Sequence, residues 1–258
     1  MTTQAIQGQA FQEVTANLGA LHGRFVANSR ILLVIIGGFI LLLALLVGGQ
    51  ALGTDPKDPD RQPMLIFTFI FGALGAYLIY LWYSRRGKAV EAYEQGLLRI
   101  QGKKVKVTRW DDIDAVWQSI TRRYYNGVYT GTTYVYTIRT KDGERFSVSN
   151  AYKDIETLGE IIQSEVTQRL LPAIVRAYQS GQTINFGKLS LNSQGLIYKD
   201  KQIPWNQIKD LKIDRGYISI KQEGGRWFNW AQVMADTVPN LFVFLALVDN
   251  IVGIRTGR

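Results

Sequence analysis

The sequence contains no cysteine and only one histidine, His22. The lack of thiols excludes disulfides, thiolate catalysis and cysteine-ligated zinc. His22 has no acidic neighbour in the sequence, which argues against histidine-based acid–base catalysis and a Ser-His-Asp arrangement. The chain also lacks a phosphate-binding loop of the G-x-x-x-x-G-K type and a dinucleotide-binding G-x-G-x-x-G. We therefore predict that this protein is not an enzyme and has no catalytic, cofactor-binding or metal-binding residues.

One cluster of carboxylates needs separate treatment, because carboxylates bind divalent cations and act as catalysts. Asp111, Asp112 and Asp114 follow one another closely. On a strand, Asp112 and Asp114 share one face while Asp111 points to the other. Solvated charges at the end of a strand are the favoured interpretation.

Charge is absent from two long apolar runs, Ile31 to Gly53 and Met64 to Tyr83. A bilayer core requires about 20 apolar residues for each helical crossing, and a helix satisfies its own backbone hydrogen bonds in lipid. We predict a transmembrane hairpin within residues 31–84, with helices at 31–53 and 64–83. Two buried core helices are the weaker alternative at this length. The intervening linker is short, polar and rich in aspartate and proline, as expected of an exposed turn.

The distribution of basic residues predicts the orientation of this hairpin. Two basic residues, Lys57 and Arg61, lie between the runs, whereas six lie on the outer flanks: Arg24, Arg30, Arg85, Arg86, Lys88 and Arg99. Basic residues in short flanks resist translocation. The expected location is the cell (inner) membrane, as a multi-pass protein with both termini in the cytoplasm. A cleavable signal peptide is not expected, because the first run starts at residue 31 and is too long.

An apolar stripe precedes the first run, formed at spacings of three and four by Phe11, Val14, Leu18, Leu21 and Phe25. This periodicity predicts an amphipathic helical segment within residues 1–30. The helix would lie on the membrane surface, pack on the soluble part of the chain or pair with a second copy. Packing on the soluble part is the favoured alternative.

The net charge of +9 falls entirely on residues after the second run. A basic domain beside an anionic leaflet is attracted to that leaflet, by roughly 1 kcal/mol for each well-placed basic residue. Binding of nucleic acid is disfavoured, because the basic residues are scattered through segments with a strand pattern. Positive-inside bias and solubility account for much of the charge without any ligand.

After Lys88 the sequence changes to short segments with period-two alternation, separated by turn residues. The predicted strands are Val90 to Tyr93, Leu97 to Ile100, Lys104 to Thr108, Ile113 to Ile120, Thr133 to Thr140 and Glu144 to Val148. A long helix is predicted from Tyr152 to Tyr178, with Asn150 as a candidate cap and Pro172 as a bend or an early end. A shorter apolar helix is predicted near the C-terminus, from Pro239 to Val248. The soluble part is therefore expected to be α+β.

Several motifs of this soluble part occur twice. Gln95-Gly-Leu-Leu is matched by Gln194-Gly-Leu-Ile, and Trp110-Asp-Asp-Ile by Trp205-Asn-Gln-Ile. Repeated, ordered blocks of this kind indicate a duplicated unit. We predict two units, at residues 85–180 and 181–258, with the second one shortened. The repeated structural positions are Gly96, Trp110 and Ile113 in the first unit and Gly195, Trp205 and Ile208 in the second.

Each unit resembles the bacterial pleckstrin-homology-like (PH-like) domains. The residues that carry the resemblance are Gly96, Leu97, Trp110, Ile113, Gly195, Leu196, Pro204, Trp205 and Ile208. The resemblance implies a bent antiparallel sheet of seven strands, capped by one C-terminal helix. The chain as a whole looks like an uncharacterised family of bacterial two-pass membrane proteins that carry tandem domains of this type in the cytoplasm.

The candidate partner- or lipid-binding residues lie in one hairpin of the first unit: Arg122, Arg123, Tyr124, Tyr125 and Tyr129. Tyrosine and arginine contribute much of the binding energy at protein interfaces. Ordinary cross-strand pairing of tyrosines is the alternative interpretation. The hairpin is also the largest insertion of the first unit relative to the second.

The sequence thus predicts a membrane-anchored, non-enzymatic binding or scaffold protein. Its tandem units would recognise a protein segment or anionic lipid at the inner membrane face. The partners expected are membrane lipids and a protein, and not nucleic acid. One alternative is a structural subunit that assembles with another membrane protein through its hairpin. An enzyme acting at the interface is the least favoured alternative.

Overall fold

The computed structural model describes residues 15–28, 31–224 and 229–252. The chain divides into two compact units. The first, here named the helical body, comprises Val26–Ala89 and Ile100–Lys104. The second, the sheet body, comprises the described residues within Met1–Phe25, Val90–Arg99 and Val105–Arg258. The protein is a mixed α+β chain, with two N-terminal apolar helices followed by antiparallel sheets, as the sequence predicts.

The helical body contains the helices α1 (Leu32–Gly53) and α2 (Arg61–Arg85). Both are long and apolar enough to cross a membrane. They pack closely where two glycines meet, because a Cβ atom on Gly37 would lie 2.9 Å from the carbonyl oxygen of Gly75. Small residues permit such a close approach of two helices. Large apolar side chains cover the outer surface of the helices, and Phe69 is 77% exposed.

The sheet body contains two successive sets of elements in the same order, here named the first repeat and the second repeat. The first repeat starts with a four-stranded sheet of β1 (Leu21–Val26), β2 (Lys88–Tyr93), β3 (Gly96–Gln101) and β4 (Lys104–Arg109). After a 3₁₀ turn (Trp110–Asp112) come β5 (Ile113–Tyr125), β6 (Val128–Thr140), β7 (Arg145–Ser149) and the helix α3 (Ile155–Gln179). Strands β5, β6 and β7 form a three-stranded sheet. In the sequence, the helices α1 and α2 lie between β1 and β2, so they interrupt the first repeat.

The second repeat has the same order of elements without an insertion. Its four-stranded sheet consists of β8 (Ile184–Phe186), β9 (Leu189–Asn192), β10 (Gly195–Tyr198) and β11 (Lys201–Pro204). This sheet is followed by a 3₁₀ turn (Trp205–Gln207) and by the three-stranded sheet of β12 (Ile208–Asp214), β13 (Tyr217–Gln222) and β14 (Ala231–Met234). Another 3₁₀ turn (Ala235–Thr237) and the helix α4 (Leu241–Val252) come after it. The expected shortening therefore does not remove a strand. It falls on β12 and β13, which have 7 and 6 residues where β5 and β6 have 13 each.

The repeated residues occupy equivalent places in the two repeats. The indole Nε1 of Trp110 donates a hydrogen bond of 2.9 Å to the carbonyl oxygen of Tyr93 at the end of β2. The indole Nε1 of Trp205 donates one of the same length to Asn192 at the end of β9. Gly195 starts β10 as Gly96 starts β3, and a Cβ atom at either position would lie within 2.4 Å of a carbonyl oxygen of the next strand. Only glycine therefore fits at these two positions.

Each repeat has its own hydrophobic core, and α3 contributes to both. Its first half buries Leu158 and Ile162 in the core of the first repeat, whereas its second half packs Ile174 and Tyr178 against the core of the second. Of the two alternatives predicted for Pro172, a bend or an early end of the helix, the early end is wrong, because α3 continues to Gln179. Packing on both sides of the proline outweighs its cost of about 3 kcal/mol in a helix interior.

The prediction of an N-terminal amphipathic helix is wrong from Asn17 onwards, where the chain enters a turn that buries Leu18. Residues Leu21–Val26 form β1, and Phe25 is buried in the core of the first repeat. A spacing of four residues, as between Leu21 and Phe25, is a multiple of the strand period of two, so the stripe fits a strand as well as a helix. Pairing with β2 decides in favour of the strand. Phe11 and Val14 lie outside the described residues.

Asn240 joins the two repeats. Its side chain donates through Nδ2 to the carbonyl oxygen of Asp114 and accepts from the backbone N–H of Val116, both at 2.9 Å. Its own backbone N–H donates to the carbonyl oxygen of Val116 at 2.8 Å. Asn240 adopts a left-handed conformation (φ 51°) directly before α4, which asparagine tolerates better than most residues. The amide thus pairs with the edge of β5 as a neighbouring strand would.

A groove on the long hairpin of the first repeat

The hairpin of β5 and β6 extends beyond the third strand of its sheet. Strands β5 and β6 pair from Ile113 to Tyr125, but β7 pairs with β6 only between Val135 and Arg139. Residues 120–134 therefore project as a two-stranded segment, here named the ribbon. The predicted site residues all lie on this ribbon.

One face of the ribbon forms a groove. Because side chains alternate between the two faces of a strand, Ile120, Arg122 and Tyr124 of β5 share a face with their register partners on β6. This face and the first turn of α3 border an open groove with a volume of about 550 Å³. The groove is lined by Ile120, Arg122, Tyr124, Tyr129, Thr132, Tyr134 and Glu156.

Aromatic contacts shape the outer end of the groove. Tyr124 and Tyr129 face each other across the strands, with an edge-to-face ring contact at 5.9 Å between centroids. The hydroxyl of Tyr129 lies 2.7 Å from the hydroxyl of Thr132. Tyr124 is 60% exposed and Tyr129 is 55% exposed. The tyrosines are therefore a cross-strand pair, as the alternative interpretation expects, and they also leave most of their surface free for a partner.

At the inner end of the groove, Tyr134 lies against the start of α3. Burial raises the pKa of Tyr134 above its ordinary value, and a hydrogen bond with Glu156 raises it further. Burial likewise raises the pKa of the next tyrosine on this face, Tyr136, to about 12. Both phenols are therefore protonated at neutral pH, and their hydroxyl groups can donate hydrogen bonds.

The edge of β6 next to the groove is closed by Asn150. The backbone N–H of Tyr134 donates to Oδ1 of Asn150, whose Nδ2 donates to the carbonyl oxygen of Thr132 at 2.9 Å. The prediction that Asn150 caps α3 is therefore wrong. The residue before α3 is Asp154, which is left-handed (φ 51°) like Asn240 before α4, and its side chain does not cap the helix.

The groove carries one charge of each sign. Arg122 contributes a cation that has no ion-pair partner among the described residues, and Glu156 contributes a carboxylate. Within the same described residues, no group of three or more histidine, cysteine, aspartate or glutamate side chains is arranged to hold a metal ion. The groove suits recognition through apolar contact, hydrogen bonds and one ion pair.

The structure brings together three of the five predicted site residues, Arg122, Tyr124 and Tyr129. Arg123 points to the opposite face of the ribbon, and Tyr125 is 72% exposed at the tip without lining the groove. The sequence interpretation missed the remaining lining residues: Ile120, Thr132, Tyr134 and Glu156. Strand alternation from Arg122 identifies Ile120, but nothing local to the sequence places Glu156 beside the ribbon.

Comparison with known proteins places the chain in a family. A family model described as "Family of unknown function (DUF6585)" matches residues 2–255. The match covers nearly the whole chain, and the chain therefore belongs to this family. No curated protein matches it.

Proposed function

We propose that this family member is a membrane-anchored, non-enzymatic binding protein that captures a protein segment in the groove of its ribbon. In this proposal α1 and α2 cross the cell membrane as a hairpin, and both termini lie in the cytoplasm. The two repeats are PH-like domains, and the first of them carries the binding site. The observation that carries the proposal is the groove itself, with its exposed tyrosines and with Arg122, which has no ion-pair partner in the part of the chain that the structure describes.

The order of elements supports the PH-like interpretation. Each repeat consists of a four-stranded and a three-stranded antiparallel sheet followed by one helix. Seven strands and a C-terminal helix are what the resemblance implies for such a domain. The repeated glycine at the start of β3 and β10 and the repeated tryptophan before β5 and β12 occupy the same structural positions.

The chemistry of the groove favours a protein segment over a lipid headgroup. Tyr124 and Tyr129 offer large amphipathic surfaces, which are typical of protein interfaces. Arg122 would attract, and Glu156 would repel, a lipid phosphate and an acidic peptide side chain alike, so the preference for a protein segment rests on the apolar and aromatic surface of the groove. A peptide with an apolar side chain and an acidic side chain can place the first against Ile120 and the tyrosines, and the second beside Arg122.

The test uses the full chain in nanodiscs of neutral lipid. A fragment that starts after the second apolar run lacks β1 and with it a strand of the first sheet. A random peptide library displayed on phage is selected against the nanodiscs, and the enriched peptides are expected to share an apolar and an acidic residue. Arg122→Ala and Tyr129→Ala should weaken their binding at least tenfold, which corresponds to about 1.4 kcal/mol.

Two variants serve as matched controls on the same ribbon. Arg123→Ala removes a cation from the opposite face, and Tyr125→Ala removes a tyrosine that does not line the groove. Both should leave peptide binding unchanged. Equal losses in Arg122→Ala and Arg123→Ala, together with salt-sensitive binding of phosphatidylglycerol vesicles by the full chain, would instead support an electrostatic lipid-binding surface and refute the groove.

A further inference from the structure

Five basic residues of the helical body gather where α2 ends, and they are here named the basic collar: Arg85, Arg86, Lys88, Lys103 and Lys104. The first three lie at the last residue of α2 or directly after it, and the last two lie in and after the turn between β3 and β4. The backbone N–H of Gly102 in this turn donates to the carbonyl oxygen of Gly87 at 2.9 Å. This hydrogen bond fixes the turn beside the end of the helix.

The basic collar has no negative charge to balance it. None of its five side chains has an ion-pair partner among the described residues. The acidic residues of the helical body are Asp55, Asp58 and Asp60, and they lie at the other end of the two helices. The next carboxylate along the chain, that of Glu91, is paired with Arg24. Because like charges repel one another, a bound anion would stabilise the basic collar.

Aromatic side chains place the basic collar at the level of lipid headgroups. Tyr77, Tyr80 and Tyr83 in the last turns of α2 are well exposed. Such amphipathic rings prefer the boundary between hydrocarbon and water. The guanidinium carbon of Arg86 lies 5.0 Å from the centre of the Trp82 ring, a cation–π contact that keeps this cation beside the aromatic residues.

The lysines of the turn distinguish the basic collar from ordinary flanking charge. Positive-inside bias and the dipole of the helix end account for Arg85 and Arg86. Neither effect requires a turn from later in the chain to bring two more cations to this place. The equivalent turn of the second repeat lies between β10 and β11 in the sheet body, and it carries its own carboxylate, Asp200, between Lys199 and Lys201.

We propose that the basic collar binds the headgroup of an anionic phospholipid in the cytoplasmic leaflet. This proposal rests on the part of the proposed function in which α1 and α2 cross the membrane with both termini in the cytoplasm. Basic residues beside a transmembrane helix attract the anionic lipids of that leaflet, and the lipid phosphate accepts charge-assisted hydrogen bonds from arginine and lysine. The acyl chains lie along the exposed apolar side chains of α2. A zwitterionic headgroup gains less, because the collar repels its ammonium group.

The test measures lipid binding to the full chain in non-ionic detergent by native mass spectrometry. Phosphatidylglycerol should bind at least about tenfold more tightly than phosphatidylcholine. The double variant Lys103→Ala/Lys104→Ala should lose most of this preference, and both side chains are exposed, so the fold is retained. The matched control is Lys199→Ala/Lys201→Ala, which removes the same charge from the equivalent, exposed turn of the second repeat. It should keep the preference.

The groove and the basic collar can fail independently in these measurements. Arg122→Ala should bind phosphatidylglycerol as the unmodified chain does. The collar variant Lys103→Ala/Lys104→Ala should bind the selected peptides unchanged in nanodiscs of neutral lipid.

A soluble competitor separates a lipid site from a site for free phosphate. Glycerol phosphate carries the anionic group without acyl chains, and it should not displace phosphatidylglycerol at equal concentration. Displacement by glycerol phosphate, equal binding of the two lipids, or equal losses in the two double variants would overturn the proposal.

Discussion

The contact of Asn240 with β5 gives a prediction that depends on a single atom. Asn240→Asp keeps the size of the side chain, its tolerance of the left-handed conformation and the acceptor for Val116. It replaces only Nδ2, which donates to the carbonyl oxygen of Asp114. At neutral pH an oxygen of the ionised carboxylate then faces the carbonyl oxygen of Asp114, and no proton lies between them to form a hydrogen bond. Loss of this bond, with a partly buried acceptor left unsatisfied, costs about 1–3 kcal/mol.

The assay is hydrogen exchange of the Val116 amide in the full chain. A loss of about 1–3 kcal/mol corresponds to exchange that is roughly 5–150 times faster, at about 1.4 kcal/mol for each factor of ten. The amide of Tyr136, which belongs to the regular pairing of β6 with β7, should change much less and serves as the internal control. Both rates are compared with those of the unmodified chain at the same pH.

The sign of the pH dependence makes this prediction specific. The folded state favours the protonated carboxyl of Asn240→Asp, because only that form donates to Asp114, so its folded-state pKa lies above the unfolded value of about 3.9. The lost protection should therefore return as the pH falls towards 4 and disappear as the pH rises through the folded-state pKa. Asn240→Ala should lose protection at every pH. Unchanged exchange of Val116 in both variants would refute the role of the amide.

Four further predictions concern the repeats and the orientation of the chain. Trp110→Ala should lower the free energy of unfolding by about 3–5 kcal/mol, and Trp205→Ala should lower it less because its indole is only partly buried. Denaturant unfolding of each variant measures both losses, and equal losses would contradict the difference in burial. Gly159→Ala should destabilise the first repeat by about 1–3 kcal/mol in the same assay, because the new Cβ would lie 1.9 Å from Cζ of Tyr136. Burial raises the pKa of Tyr136 to about 12, so the contribution of its protonated phenol to stability is complete below pH 10 and declines above it. Tyr136→Phe should remove that decline. A variant whose stability depends on pH as that of the unmodified chain does would contradict this prediction. Reporters fused at Asp58 and at the C-terminus should lie in opposite compartments, whereas signals from the same side would exclude the proposed orientation.

Most of the individual elements could be predicted from the sequence. Strands β2 to β7 of the first repeat were predicted from their period-two alternation, although β5 and β6 each extend five residues further towards their turn than predicted. The long helix α3 agrees to within three residues at its start. The groove could be predicted only in part. Arg122, Tyr124 and Tyr129 share a face because they are close in the sequence and in register, whereas Glu156 reaches them through the packing of α3 on the sheet.

The sequence by itself determined the features that depend on local patterns: the apolar helices, the strand segments and the repeated glycine and tryptophan positions. The tertiary structure decided where β1 belongs, because its partner β2 lies beyond both apolar helices in the chain. It also decided that α3 serves two cores and that Asn150 and Asn240 pair with strand edges instead of capping helices. An asparagine amide can bond to a turn, a helix end or a strand edge. The backbone groups that remain unpaired nearby decide which of these bonds the amide forms. Only the assembled sheets determine which groups those are.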